Sequence, residues 1–272
     1  MKKIFASLIV TLMIIGISGI TSCQNRAEKE KKILDKERQS EIKDEIPKNV
    51  YPLPTSAEVI RLLTELEVGY MVGIANPVEN VKKYFQSTRK AINMGVYGAD
   101  LSYATLYNMN QEVINYLSAI RSLSNELNMS KIYDEALYDN IKTNFDNRDK
   151  LVDILQDAFN RTYGYLSEDD QQALALLVVG GAWVEGMYLT THVSEAAYQV
   201  AGIAGVLLEQ KKSFDRYIEI TGPFLSDPVI GDFVKLLEPM KNVYEGMTTS
   251  LSEQNIKDIT TAITGIRNQI VQ

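Results

Sequence analysis

The side chains best suited to chemistry fall in two runs. Asp100, Tyr103, Tyr107 and Asn110 step by 3, 4 and 3, and Glu185, Tyr188, His192 and Glu195 repeat those steps. At about 100° per residue each run lines one stripe of an α-helix, provided that the second helix continues through Thr190 and Thr191. Facing each other, the stripes would enclose a polar groove with two aromatic walls. Its candidate ligand-binding residues are Asp100, Tyr103, Tyr107, Glu185, Tyr188 and His192. Glu185 is the sharpest of these, a carboxylate that directly follows the uncharged run Ala173 to Val184. Burial would raise its pKa unless a partner compensates, and perturbed carboxylates gather at functional sites. The bland alternative is a glutamate at the exposed end of a core helix, or one tied structurally to an Arg or Tyr. Spacing alone names no such partner.

What is missing narrows the chemistry further. The chain has one His and one Cys in 272 residues. His192-Val-Ser-Glu195 is an H-x-x-E pair, but a zinc site needs three or four protein ligands. A di-iron bundle needs two Glu-x-x-His pairs and is excluded. No calcium loop, Walker A loop, GxGxxG fingerprint or G-x-S-x-G elbow occurs. The expectation is therefore no metal, no cofactor and no catalytic residue assigned. Two carboxylates working as acid and base remain open, since many acidic residues are available.

The single cysteine has a different setting. Lys2 and Lys3 precede the uncharged stretch Ile4 to Ile20, followed by Ile20-Thr21-Ser22-Cys23. A basic start, an apolar centre and small residues before a cut read as a secretory signal. The Cys placed after them resembles a bacterial lipobox. That resemblance implies cleavage after Ser22, diacylglycerol on the Cys23 thiol and a lasting acyl anchor in a membrane. An uncleaved membrane span is the alternative, because 17 residues lie at the lower limit of spanning length. Gln24 follows where enterobacterial inner-membrane retention favours Asp, so by analogy the outer membrane is expected over the inner. Residues 23–48 read as the lipidated Cys and a charged, flexible tether, with few large apolar side chains to order it. After Lys48 the balance is 18 basic to 28 acidic residues. So negative a surface repels phosphate backbones, and nucleic acid is not an expected partner.

The elements that must position these residues all read as helices. Ile256, Ile259, Ile263, Ile266 and Ile270 recur at helical spacing, as do Leu106, Met109, Val113, Leu117, Ile120, Leu123 and Leu127. Capping-box spacing marks Thr55 to Glu58 and Ser250 to Glu253, and a cap residue before Pro marks Asn76-Pro77 and Asp227-Pro228. The predicted helices span 56–75, 77–92, 99–127, 130–146, 148–164, 168–190, 194–211, 213–220, 228–245 and 251–271. The fold class is all-α, an irregular antiparallel multi-helix array or bundle of nine or ten helices. It forms a single domain over 49–272, behind a signal peptide at 1–22. Ala173 to Val184 is read as a buried core helix, with no later stretch long enough to span a bilayer. Gly69, Gly73, Gly180, Gly181, Gly186, Gly202 and Gly205 each cost up to about 1 kcal/mol inside a helix. Close helix approach offsets that cost better than a ligand cleft does.

Gly95-Val-Tyr-Gly-Ala-Asp-Leu-Ser-Tyr-Ala-Thr-Leu-Tyr107 and Gly180-Gly-Ala-Trp-Val-Glu-Gly-Met-Tyr188 resemble a family of uncharacterised all-helical lipoproteins of Bacteroidota. The resemblance implies an all-α envelope lipoprotein and assigns no activity. Fifteen tyrosines against seven phenylalanines suit a contact face, because Tyr offers large area and a hydroxyl that tolerates water. The expected role is non-enzymatic binding of a small ligand or an envelope protein, anchored to the membrane through Cys23. The alternative is a carboxylate-dependent enzyme or metal-binding protein centred on Glu185 and Asp100.

Overall fold

Helix-forming periodicity runs through the chain, and the computed structural model of the protein is all-α, with no strand among the described residues. It describes residues 69–168, 171–195, 203–247 and 251–272. The chain divides into the units Met1–Asp44 and Glu45–Gln272, and every described residue belongs to the second. The expected signal peptide, Cys23, the tether, the helix expected from residue 56 up to residue 68, and Gly202 lie outside the described residues.

The helices are α1 (Ser87–Leu106), α2 (Asn110–Glu126), α3 (Glu135–Thr143), α4 (Arg148–Glu168) and α5 (Gln172–Glu195). They continue as α6 (Ile203–Thr221), α7 (Pro228–Leu236), α8 (Glu238–Glu245) and α9 (Glu253–Val271). Short 3-10 helices occupy Val78–Lys83 and Gly222–Phe224. Neighbours in sequence pack antiparallel where the contacts fix direction. Tyr97 meets Tyr116 and Lys90 meets Glu126 between α1 and α2. Trp183 meets Phe214 and Tyr217 donates to Leu176 O between α5 and α6.

The centre of the fold is a pair that no short connection joins. α1 and α5 run parallel, Ile92 beside Gly181 and Tyr103 beside Leu189 and Val193. Bare backbone makes this approach feasible. A Cβ on Gly95 would lie 2.0 Å from Val178 O, and one on Gly181 would lie 2.0 Å from Ile92 O. Both distances are far inside van der Waals contact, so the close-packing reading holds at Gly181. Gly205 meets nothing within 4 Å, and neither Gly69 nor Gly73 sits in a helix.

Several boundaries differ from the sequence expectation, each for a local reason. Residues 93–98 do not break the chain. α1 passes straight through Gly95 and Gly98, because Gly95 is where α5 comes closest. The helix expected over 99–127 is broken instead at Asn108, whose φ of 55° is left-handed and ends α1. Val78–Lys83 forms a 3-10 helix in place of the first part of the expected 77–92 helix, and Asn76, expected to cap it, turns its side chain to Tyr84 Oη. Residues 69–77 are not helical; Gly73 turns there at φ 83°. The expected break after Gly164 is absent, since α4 runs to Glu168. The expected break at residue 212 is absent, since α6 runs unbroken from Ile203 to Thr221, residues 196–202 of the expected 194–211 lie outside the described residues, and 130–146 shortens to α3. The segment 228–245 divides at Leu237, because Pro239 opens α8. Asp227 caps α7 as expected, its carboxylate accepting from Val229 N at 2.8 Å. The capping box of α9 is Ser252 with Asn255, two residues beyond the predicted start.

α5 is also longer than its apolar run suggests. Gln172–Val193 is long and apolar enough to cross a membrane by length and composition, contrary to the expectation that no later stretch is. Of its most apolar window 78% is buried inside the protein, as the core-helix reading requires.

Candidate functional site

The helix does continue through Thr190 and Thr191. Their hydroxyls donate back to Gly186 O at 2.7 Å and Tyr188 O at 3.0 Å, so neither disturbs the turn. Glu185 therefore lies in the middle of α5, fully buried, and not at an exposed helix end. Asp100, also fully buried, faces it from α1, and the two carboxyl groups are within hydrogen-bonding reach. The two stripes thus meet at Asp100 and Glu185, the condition that spacing alone left open.

The groove between them does not stand open. Residues 70–76 fill it: Tyr70, Met71 and Ile74 pack with Ala99, Tyr103 and Tyr107 of the α1 side and Tyr188, Leu189 and Val193 of α5. Three polar side chains fasten the backbone of this strap. Tyr103 Oη accepts from Met71 N at 3.1 Å, and Asp100 Oδ2 accepts from Asn76 N at 3.2 Å. The Arg267 guanidinium reaches Ile74 O at 3.5 Å. Asn76, itself fully buried, accepts from Asn80 and donates to Tyr84 Oη.

Arg267 is the partner that spacing could not assign to Glu185. It comes from α9, its Nε 3.0 Å from Glu185 Oε2 and its Nη2 3.0 Å from Oε1, a bidentate pair in a water-poor setting. The face of Tyr188 lies 4.5 Å from its guanidinium carbon. A signal for it does exist in sequence. Ile263, Arg267 and Ile270 step by 4 and 3, so Arg267 is a charge set within the apolar stripe of α9. A charge so placed demands a buried counter-charge.

Electrostatics follow from this burial. Desolvation drives the Asp100 carboxyl well above the usual range, the neighbouring Glu185 raises it further, and Arg267 pulls it back. Desolvation also raises Glu185, against the guanidinium that favours its ionised form. Burial works against the charge of Arg267, and Glu185, Asp100 and Tyr188 together more than offset it, so its pKa is raised.

The remaining predicted residues form a rim. Tyr70, Tyr103 and Tyr107 make a ring cluster, with centroids 5.1 to 5.7 Å apart; Tyr103 is buried, the other two half-buried. Tyr188 and His192 stack at 4.0 Å. His192 Nδ1 lies 2.8 Å from Tyr188 O, which only accepts, so the Nδ1–H tautomer donates there. Asn110 falls off the first stripe because α1 ends at Leu106, and the Glu195 side chain lies outside the described residues. Among the described residues no group of three or more His, Cys, Asp or Glu is placed to hold a metal ion. No protein-family model, curated protein or solved structure matches the chain.

Proposed function

We propose that the protein is a lipid-anchored cell-envelope lipoprotein, held through Cys23 and working by contact with a small ligand or another envelope protein. One observation carries the contact half of this reading. Asp100 and Glu185, the carboxylates best placed in sequence for catalysis, are fully buried, and Glu185 is engaged on both oxygens by Arg267. A general acid or base must come within hydrogen-bond reach of a reacting atom, and these groups instead join α1, α5, α9 and the strap. Around them the half-buried Tyr70, Tyr107, Tyr188 and His192 offer amphipathic contact area. The lipobox-like Ile20 to Cys23 supports the anchor, and the two glycine- and tyrosine-bearing segments support the Bacteroidota lipoprotein reading.

The test has two arms. Metabolic acyl labelling is expected on the wild-type chain and absent from Cys23→Ala; label persisting in the variant overturns the anchor. Photo-crosslinkers placed at Tyr107 and Tyr188 in intact cells are expected to trap one defined partner, with an exposed site on α3 trapping none. The proximity of Asp100 to Glu185 favours a second reading, a carboxylate-dependent enzyme or metal-binding protein. A hydrolase activity abolished by Glu185→Gln, or stoichiometric metal in the purified chain, would establish it and displace the first.

A further inference from the structure

The buried set contains two carboxyl groups and one guanidinium, and its hydrogen bonds are unequal. Both oxygens of Glu185 accept from Arg267. Asp100 Oδ2 accepts from the backbone of Asn76, while Asp100 Oδ1 is buried with no donor. Two carboxylates cannot share a hydrogen bond, since each only accepts. Fully ionised, the set would carry one uncompensated negative charge at zero exposure, which is costly. One added proton makes it neutral and turns the orphaned oxygen into a donor.

We propose that Asp100 and Glu185 form a proton-binding site, in which one proton stays on Asp100 Oδ1 through the neutral pH range and is donated to Glu185.

Asp100, not Glu185, carries it, because Glu185 has the bidentate cation and Asp100 has a single neutral donor. The phenols around the pair do not supply the missing charge. From α5 this is Tyr188, from α1 Tyr97 and Tyr103, from α2 Tyr116, from the strap Tyr70, and beyond it Tyr84. Burial first among the causes pushes every one of these phenols up, so they are neutral at pH 7. His192, whose positive form would favour ionised Glu185, donates Nδ1–H to Tyr188 O and lies half-buried at the rim. The sign of the linkage is opposite to that of a salt-bridged aspartate. Asp100 binds its proton more tightly in the folded chain than its ordinary value of 3.8. Stability from this group is thus fully present below that value and is lost as pH rises toward the folded pKa.

Asp100→Asn places a permanent amide donor where the proton sits. The test compares its unfolding with that of the wild-type chain between pH 5 and 8, and records the infrared carbonyl band of a protonated carboxylic acid. The wild-type unfolding constant, relative to the variant's, is expected to rise by up to about tenfold per pH unit, the slope of one proton. The band is expected in native wild type at pH 7 and absent from Asp100→Asn. A ratio flat in pH, or a band unchanged by the substitution, overturns the proposal. If Asp100→Asn does not fold, the native wild-type spectrum decides, and lack of the band at pH 7 refutes it.

Discussion

Replacing Arg267 with Met keeps the length of the side chain and removes the guanidinium from a fully buried Glu185. Removing one partner of a buried ion pair costs about 3–5 kcal/mol, because the other charge is left uncompensated. A second route reaches a similar figure. The stranded Glu185 escapes its charge by taking up a proton, and from its ordinary value of 4.5 to pH 7 this costs about 3.4 kcal/mol at 1.36 kcal/mol per unit. At pH 5 the same step costs only about 0.7 kcal/mol, so the deficit should shrink with acid. In this variant the folded pKa of Glu185 is raised further. Its contribution is therefore intact at low pH and lost as pH climbs above 4.5. Urea unfolding followed by helical circular dichroism at pH 5 and pH 7 measures both numbers. Thermal unfolding should show a drop on the order of 10 °C at pH 7. A loss below about 1 kcal/mol at pH 7, or one of equal size at both pH values, would refute the buried-pair reasoning.

Other substitutions probe the frame that holds this pair. Gly95→Ala and Gly181→Ala each drive a methyl into backbone 2.0 Å away and should lower stability by about 3 kcal/mol in denaturant titration. Gly205→Ala, in a helix with open space around it, should raise stability by about 0.5–1 kcal/mol. Asp227→Ala removes the acceptor for Val229 N and should cost about 1 kcal/mol, with Asp227→Ser restoring most of it.

The parts of the fold visible in sequence are those that periodicity alone dictates. The apolar stripe of α9 and the stepped residues within α1 and α5 needed only the 3.6-residue repeat, whereas the meeting of α1 with α5 is a tertiary contact that spacing does not dictate. The misjudged places depend on tertiary contact. Gly95 and Gly98 look like a helix break because glycine is a poor helix former, yet Gly95 is required where α5 passes against α1. Asn108 looks like any polar residue inside a long helix, and nothing local announces that it adopts a left-handed turn. Residues 70–75 of the strap fall within the expected 56–75 helix, but Tyr103, Asp100 and Arg267 take backbone polar groups of the strap in place of a helical ladder. For the site, the sequence marks Asp100 and Glu185 as a pair of stripe residues. It does not show that their groove is closed by the chain's own preceding segment. Arg267 is harder to recognise, because a lone charge in a stripe of isoleucines blends with its neighbours, although its spacing marks it as buried.

The most direct measurement is carbodiimide labelling of carboxyl groups on the native chain, read by mass spectrometry. Exposed acids such as Glu135 and Glu219 should label readily. Asp100 and Glu185 should stay unmodified until the chain is unfolded. Labelling of either one in the native protein, at a rate near that of the exposed acids, would show that the pair faces solvent and contradict its role as a sealed join between helices.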